Sequence, residues 1–166
     1  MMKCAVDLHI HSCLSPCADD DMTPCNIAGM AYVKHLDCIA LTDHNAAENL
    51  PAVALAAREM GVCLLPGIEV TSSEEVHILC YFPAVDPAVD FGRMIYDHLP
   101  PLPNNKRIFG NQMILGPEDE AQGELSKLLI QATDLSIVEI ERRCTEAGGI
   151  CVAADINRSS NSPLRN

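Results

Sequence analysis

The chain has no run of eighteen or more apolar residues, so it lacks the length of continuous hydrophobic sequence that a membrane-spanning helix needs. It is also poor in cations: 11 Lys plus Arg stand against 23 Asp plus Glu, a formal charge of -12 with neutral histidines. A general grip on nucleic-acid backbone comes from clustered Lys and Arg, so stable binding of a duplex is not expected. No secretory core is present at the start, because Met1-Met2-Lys3-Cys4-Ala5-Val6-Asp7 reaches a charge, and then two histidines, before one can form. The expectation is a cytoplasmic protein without membrane contact. Internal repeats and low-complexity blocks are missing too.

The nine cysteines have neither the even count nor the secretion context of a disulfide framework. Several lie inside apolar runs such as Asp37-Cys38-Ile39-Ala40-Leu41 and read as small core residues with free thiols. Cys13, Cys17 and Cys25 share one loop, at spacings that match neither a zinc knuckle nor a four-cysteine iron–sulfur pattern.

What is present suits one soluble globular domain: 166 residues, 48% apolar and 20% charged. We expect that domain over residues 1–158, followed by a polar tail over 159–166. Strand-like runs at Cys4 to Ile10, Cys38 to Thr42, Val62 to Leu65, Ile68 to Thr71, Val76 to Phe82 and Ile150 to Ala154 alternate with helical patterns. Those patterns cover Asn26 to Lys34 behind Thr23-Pro24, Leu50 to Met60 before Gly61, Asp86 to Leu99, Leu125 to Ala132, and a helix opened by a Ser136-x-x-Glu139 capping box. Strand following helix favours an α/β fold with a parallel sheet or barrel.

Metal-type side chains recur at the strand ends. In Asp7-Leu8-His9-Ile10-His11 the two-residue period of a strand sends Asp7, His9 and His11 to one face. Either histidine alone reads as a satisfied core residue; the pair above an acid reads as a chelating site, since ligating imidazoles commonly lean on a carboxylate. Asp19, Asp20 and Asp21 form a loop of mutually repelling charges, of which Asp20 and Asp21 read as solvated. Leu41-Thr42-Asp43-His44-Asn45 puts a further acid and imidazole at a strand end, as a ligand with its orienting partner. Glu69, within Pro66-Gly67-Ile68-Glu69-Val70, lies in an apolar extended segment where an unpaired carboxylate is costly and a cation would relieve it. His77 opens another apolar run, while His35 and His98, near helix ends, read as surface or capping residues.

Taken in order, Asp7-Leu8-His9-Ile10-His11-Ser12, Leu41-Thr42-Asp43-His44, Pro66-Gly67-Ile68-Glu69 and His77-Ile78-Leu79 resemble the polymerase and histidinol phosphatase (PHP) family. The resemblance covers residues 7 to about 82, with a weaker continuation from Gly148 to Arg158. It implies a distorted (β/α)7 barrel, incomplete at its C-terminal end. It also implies two or three divalent ions (manganese, zinc, iron or magnesium) at the C-terminal ends of the strands, and hydrolysis of phosphoesters. By position, His9, His11 and Glu69 would hold one metal, Glu69 would bridge to a second bound by His77, and Asp19 with His44 would hold a third. The catalytic set implied is His9, His11, His44 and Glu69.

Two departures stand out. Where the family has Ala-His, this chain reads Ala154-Asp155, so Asp155 would replace an imidazole with a harder oxygen ligand. The family's late Asp-x-His motif is absent from the sequence, which ends at Asn166. Arg158 reads either as a phosphate contact or as a solvated tail residue.

The reaction expected is attack by metal-bound hydroxide on a small phosphate monoester or nucleotide, with the cations inverting the sign of an acidic site. The alternative is a truncated, non-catalytic metal-binding module in a structural or partner-binding role. Its open sheet edge would invite a homo-oligomer. A polymerase-linked exonuclease is disfavoured by the lack of a polymerase region and of a basic groove.

Overall fold

The computed structural model describes residues 3–154; Asp155, Arg158 and the tail 159–166 lie outside the described residues. Five strands form one sheet in the order β1 (Val6–Ile10), β2 (Cys38–Leu41), β3 (Cys63–Thr71), β4 (His77–Tyr81) and β7 (Ile150–Ala153). A separate hairpin pairs β5 (Met113–Leu115) with β6 (Ala121–Glu124).

The sheet is mixed, not parallel throughout as the alternation of elements suggests. β1, β2 and β3 run parallel, whereas β3 with β4 and β4 with β7 are antiparallel. Chain length explains the reversal: only residues 72–76 join β3 to β4, too few for the dozen or so that a parallel crossover needs.

Helix boundaries follow local chemistry. α1 (Pro24–Val33) begins where the Thr23 hydroxyl accepts the Asn26 N–H and proline occupies the first turn. α2 (Leu50–Glu59) ends at Gly61, whose φ of 70° closes the helix. α3 (Val85–Asp97) follows β4, and a single turn, α4 (Lys106–Phe109), precedes the hairpin. α5 (Ile137–Glu146) opens with the full reciprocal Ser136–Glu139 capping box.

The expected helix over Leu125–Ala132 is absent. Its backbone groups are taken by other partners: Gln112 donates to the Leu125 and Lys127 carbonyls and accepts the Leu129 N–H. Lys127 is drawn off to the carbonyls of Tyr96 and Leu99. Tertiary hydrogen bonds outweigh a favourable helix composition here.

The main core lies between the sheet and its helices. Ile39 and Leu41, Ile68 and Val70, and Ile78 and Cys80 alternate toward Ile27 and Ala31 of α1, Val53 of α2, Phe91 and Ile95 of α3, and Ile140 of α5. On the opposite face Ala40, Leu79, Tyr81 and Ala154 form a smaller cluster. That face is concave. The Tyr81 hydroxyl, on β4, donates to the Leu8 carbonyl of β1 at 2.7 Å, although three strand spacings of a flat sheet, about 14 Å, would lie between them. The sheet therefore curls toward β1. Among the described residues β1 and β7 are its edges, and the expected distorted (β/α)7 barrel is represented by an open, curled α/β sheet.

Candidate metal centre

The concave face brings five of the expected side chains together. Alternation along β3 puts Glu69 there, opposite Ile68 and Val70, and it is 1% exposed. The parallel bridge from His44 to Glu69 extends the β2–β3 pairing: the Glu69 N–H donates to the Asp43 carbonyl and the Asn45 N–H to the Glu69 carbonyl. His9 arrives from β1, His11 from just beyond it, and His77 from the start of β4.

Around this one carboxylate the imidazoles turn their nitrogens inward. Glu69 Oε2 lies 3.1 Å from His9 Nε2, 3.1 Å from His11 Nε2 and 3.4 Å from His44 Nδ1, while Oε1 lies 3.1 Å from His77 Nδ1. His9 Nε2 and His11 Nε2 are themselves 3.2 Å apart. The two carboxylate oxygens thus address different sets of nitrogens. His9, His11 and Glu69 make one group of ligand-competent atoms within 4.8 Å of one another, and His44, Glu69 and His77 make a second that shares the carboxylate.

The electrostatics fit a cation. Burial pushes the His44 imidazole down to about 3, so it is neutral, with a lone pair available, at physiological pH. Burial alone would raise Glu69, but hydrogen bonds from His11, His77 and His9 outweigh it and hold the carboxyl far below the ordinary range. His44 Nδ1 is buried without a hydrogen bond of acceptable geometry, close as it is to the carboxylate. A buried nitrogen in that state is costly in the protein alone and suited to a metal. Imidazole and carboxylate donors suit borderline and hard divalent ions such as zinc, iron or manganese.

Asp43 acts by an indirect route. It makes no direct contact with the His44 side chain: its carboxylate, 1% exposed, accepts the Ser12 N–H at 2.7 Å, the Ser12 hydroxyl at 2.6 Å and the Ser15 hydroxyl at 2.7 Å, and reaches His44 only through Ser15. The Ser15 oxygen accepts the His44 N–H at 3.0 Å and lies 3.3 Å from His11 Nδ1. Asp43 therefore ties down the loop after β1, and through Ser15 it fixes both neighbouring histidines. Burial raises its carboxyl, against the lowering effect of His11 and the serines.

Asn45, at a φ of 49°, and Asn49 extend the frame. The first donates to the Leu129 and Gln131 carbonyls and accepts the Thr71 N–H; the second donates to Ser12 Oγ and the Met113 carbonyl. Both were silent in the sequence.

Other expected residues lie apart. Asp19 sits on an exposed loop, with a carboxylate oxygen accepting the Asp21 N–H at 3.0 Å, and belongs to none of the ligand groups. Instead Cys17 joins His11 and His44. Its loop position and spacing gave no sign of this, because the contact depends on the fold of residues 12–22. His98 pairs with Asp134 at 2.7 Å, away from the centre. Asp155 and Arg158 fall outside the described residues. No helix among the described residues is long and apolar enough to cross a membrane.

Comparison with known proteins agrees with this geometry. No family-level sequence profile matches the chain. It is 36% identical over 86 residues to a 3',5'-nucleoside bisphosphate phosphatase of Chromobacterium violaceum, covering 50% of this chain and 28% of that protein. It is 32% identical over 76 residues to a 5'-3' exoribonuclease of Haemophilus influenzae, covering 44% and 27%. The matched segment thus spans little more than a quarter of either curated relative.

Among solved structures, a putative metal-dependent phosphoesterase of Bifidobacterium adolescentis superposes with a TM-score of 0.62 at 21% identity, over 98% of this chain and 69% of that one. An amidohydrolase of Chromobacterium violaceum, solved with sulfate and without metal, gives 0.62 at 22% identity over 92% and 67%. A lesion-specific endonuclease Q of Pyrococcus furiosus gives 0.58 at 19% over 95% and 36%. The fold and the curated relatives agree with the resemblance carried by the four motifs: this chain is similar to metal-dependent phosphoesterases of the PHP type.

Proposed function

We propose that this chain carries the active site of a metal-dependent phosphoesterase acting on a small phosphate monoester or nucleotide, in a domain of the distorted-barrel type. The observation that carries the reading is the buried Glu69 carboxylate with nitrogens of His9, His11, His44 and His77 at 3.1–3.4 Å. Divalent cations bound there supply Lewis acidity, neutralise phosphate charge and lower the pKa of water toward neutrality.

The chain's own residues do the rest. His9 and His11 with Glu69 would hold one ion, and His44 and His77 with the same Glu69 a second, so the carboxylate spans both groups. Cys17, which groups with His11 and His44, stands as a further candidate ligand in place of the expected Asp19. Asp43, through Ser12 and Ser15, keeps His11 and His44 oriented before any substrate arrives, which is where preorganised sites gain most. A cleft lined by Thr71, Glu75, His77 and Gln131 adjoins the centre on the His77 side and gives a phosphorylated substrate a route in. Asp155 and Arg158 would supply an additional oxygen ligand and a phosphate contact.

A nucleotide is the favoured substrate class, because one curated relative is a nucleoside bisphosphate phosphatase. A solved complex of endonuclease Q holds a duplex with an abasic lesion at its active site. The formal charge of -12 disfavours a comparable duplex grip by this chain.

The test is release of inorganic phosphate from an aryl phosphate, and then from a nucleoside 3',5'-bisphosphate, with added Mn2+. Turnover that disappears in Glu69→Gln, with the circular dichroism unchanged, supports the reading. Stoichiometric metal binding without turnover on either substrate would instead indicate a non-catalytic metal-binding module.

A further inference from the structure

The strand that sends His77 to the concave face sends Cys80 to the other. There Cys80 is the cross-strand partner of Cys151 in β7, and their sulfurs lie 3.6 Å apart. The last turn of α5 brings a third thiol, Cys144, over this pair. The return from α5 to β7 runs through Gly148, at a φ of 82°, and Gly149, whose N–H donates to the Cys144 carbonyl at 2.8 Å. A Cβ on Gly149 would stand 2.7 Å from the Cys144 sulfur, so this turn leaves no room for a side chain against the thiol.

All three cysteines are free, Cys80 and Cys144 are fully buried, and Cys151 is half-buried. The three sulfurs lie within 4.8 Å of one another, and no imidazole or carboxylate belongs to the group.

Those separations have a chemical meaning. Thiolates about 2.3 Å from one cation stand about 3.8 Å apart in tetrahedral and about 4.0 Å apart in trigonal coordination, inside the range seen here. The geometry points to a second metal site, in which Cys80, Cys144 and Cys151 hold one soft, thiophilic d10 cation of the Zn2+ class. Sulfur donors select such ions over the harder ones suited to the imidazole and carboxylate centre on the opposite face. Binding replaces S–H bonds with S–metal bonds and releases up to three protons to solvent, leaving a net charge of about -1 for a divalent ion. A fourth ligand, if taken, comes from water on the Cys151 side.

The test is titration of the reduced, chelator-stripped full chain with Co2+, read at the thiolate-to-cobalt charge-transfer band, which imidazole and carboxylate ligands do not produce. We expect a band saturating at one Co2+ per chain and displaced by Zn2+. It should persist in Glu69→Gln and in Cys17→Ser, and be lost in Cys151→Ser. Persistence in Glu69→Gln separates this site from the histidine centre, so the two readings can fail independently.

A second measurement needs no variant: alkylation with and without Zn2+, mapped by mass spectrometry, should show Zn2+-dependent protection of the half-buried Cys151 but not of the exposed Cys4 and Cys63. Absence of the band, a band abolished by Cys17→Ser but kept in Cys151→Ser, or equal alkylation with and without Zn2+ would each overturn the proposal.

Discussion

Replacing Asp43 with alanine should cost more than any substitution on the open rim, although Asp43 is not itself placed among the ligands. Its carboxylate takes three short hydrogen bonds, from the Ser12 N–H and from the hydroxyls of Ser12 and Ser15. The Ser15 hydroxyl has a second possible acceptor in His11 Nδ1 at 3.3 Å, and a hydroxyl can rotate to seek one. The Ser12 N–H cannot. Ser12 is fully buried, and an orphaned donor there costs about 1–3 kcal/mol. Breaking a buried charged network as a whole costs about 3–5 kcal/mol, and relief of the buried charge favours the lower part of that range. For a chain of this size a loss of about 3 kcal/mol amounts to a fall in Tm of about 6–12 °C.

Because Ser15 also holds His11 and His44, Mn2+ affinity should fall about 10- to 100-fold in the same variant, the usual consequence of losing a group that orients a ligand. Urea unfolding of the metal-free protein gives the first quantity and Mn2+ titration the second. A stability loss below about 1 kcal/mol with unchanged Mn2+ affinity would refute the role given to Asp43.

Acid should weaken the metal-free fold through His44. Its folded-state pKa is lowered to about 3, so the unfolded chain takes the proton first; this contribution is complete above pH 6.5 and is lost as pH falls toward 3, at up to about 1.4 kcal/mol per unit. His44→Gln should flatten that slope in denaturant melts, and an unchanged slope would contradict the assignment. Gly67→Ala should destabilise by about 1–3 kcal/mol, because a Cβ there meets Thr42 Cγ2 at 2.9 Å, Tyr81 at 3.0 Å and the Leu41 carbonyl oxygen at 3.1 Å; a thermal melt equal to that of the unsubstituted chain would refute this. Ser136→Ala removes one half of the capping box on α5 and should cost about 1 kcal/mol by chemical denaturation, without touching metal affinity.

The legible part of the site was the part set by strand periodicity. His9 and His11 share a face because they are two residues apart, and Glu69 is conspicuous because a carboxylate in an apolar strand needs a partner. Asp43 was legible as an orienting residue but not by its route, since Ser12 and Ser15, through which it acts, lie some thirty positions away. Cys17 and the Cys80–Cys144–Cys151 cluster were invisible for the same reason: each depends on how a loop or a cross-strand pair closes. In the fold, helices with caps were read close to their observed bounds. Leu125 to Ala132, rich in helix formers, was misread because Gln112 and Tyr96, distant in sequence, compete for its backbone and for Lys127. The parallel sheet was overextended past Thr71, where the short link to His77 forces an antiparallel return.

The most direct measurement is elemental analysis coupled to a Mn2+ titration of the chelator-stripped chain beside Glu69→Gln. Because one carboxylate joins both groups of histidines, the unsubstituted chain should take up at least two equivalents at the imidazole face, and Glu69→Gln should lose both together. Equal uptake by the two proteins, or loss of only one equivalent, would contradict the claim that Glu69 is the shared centre.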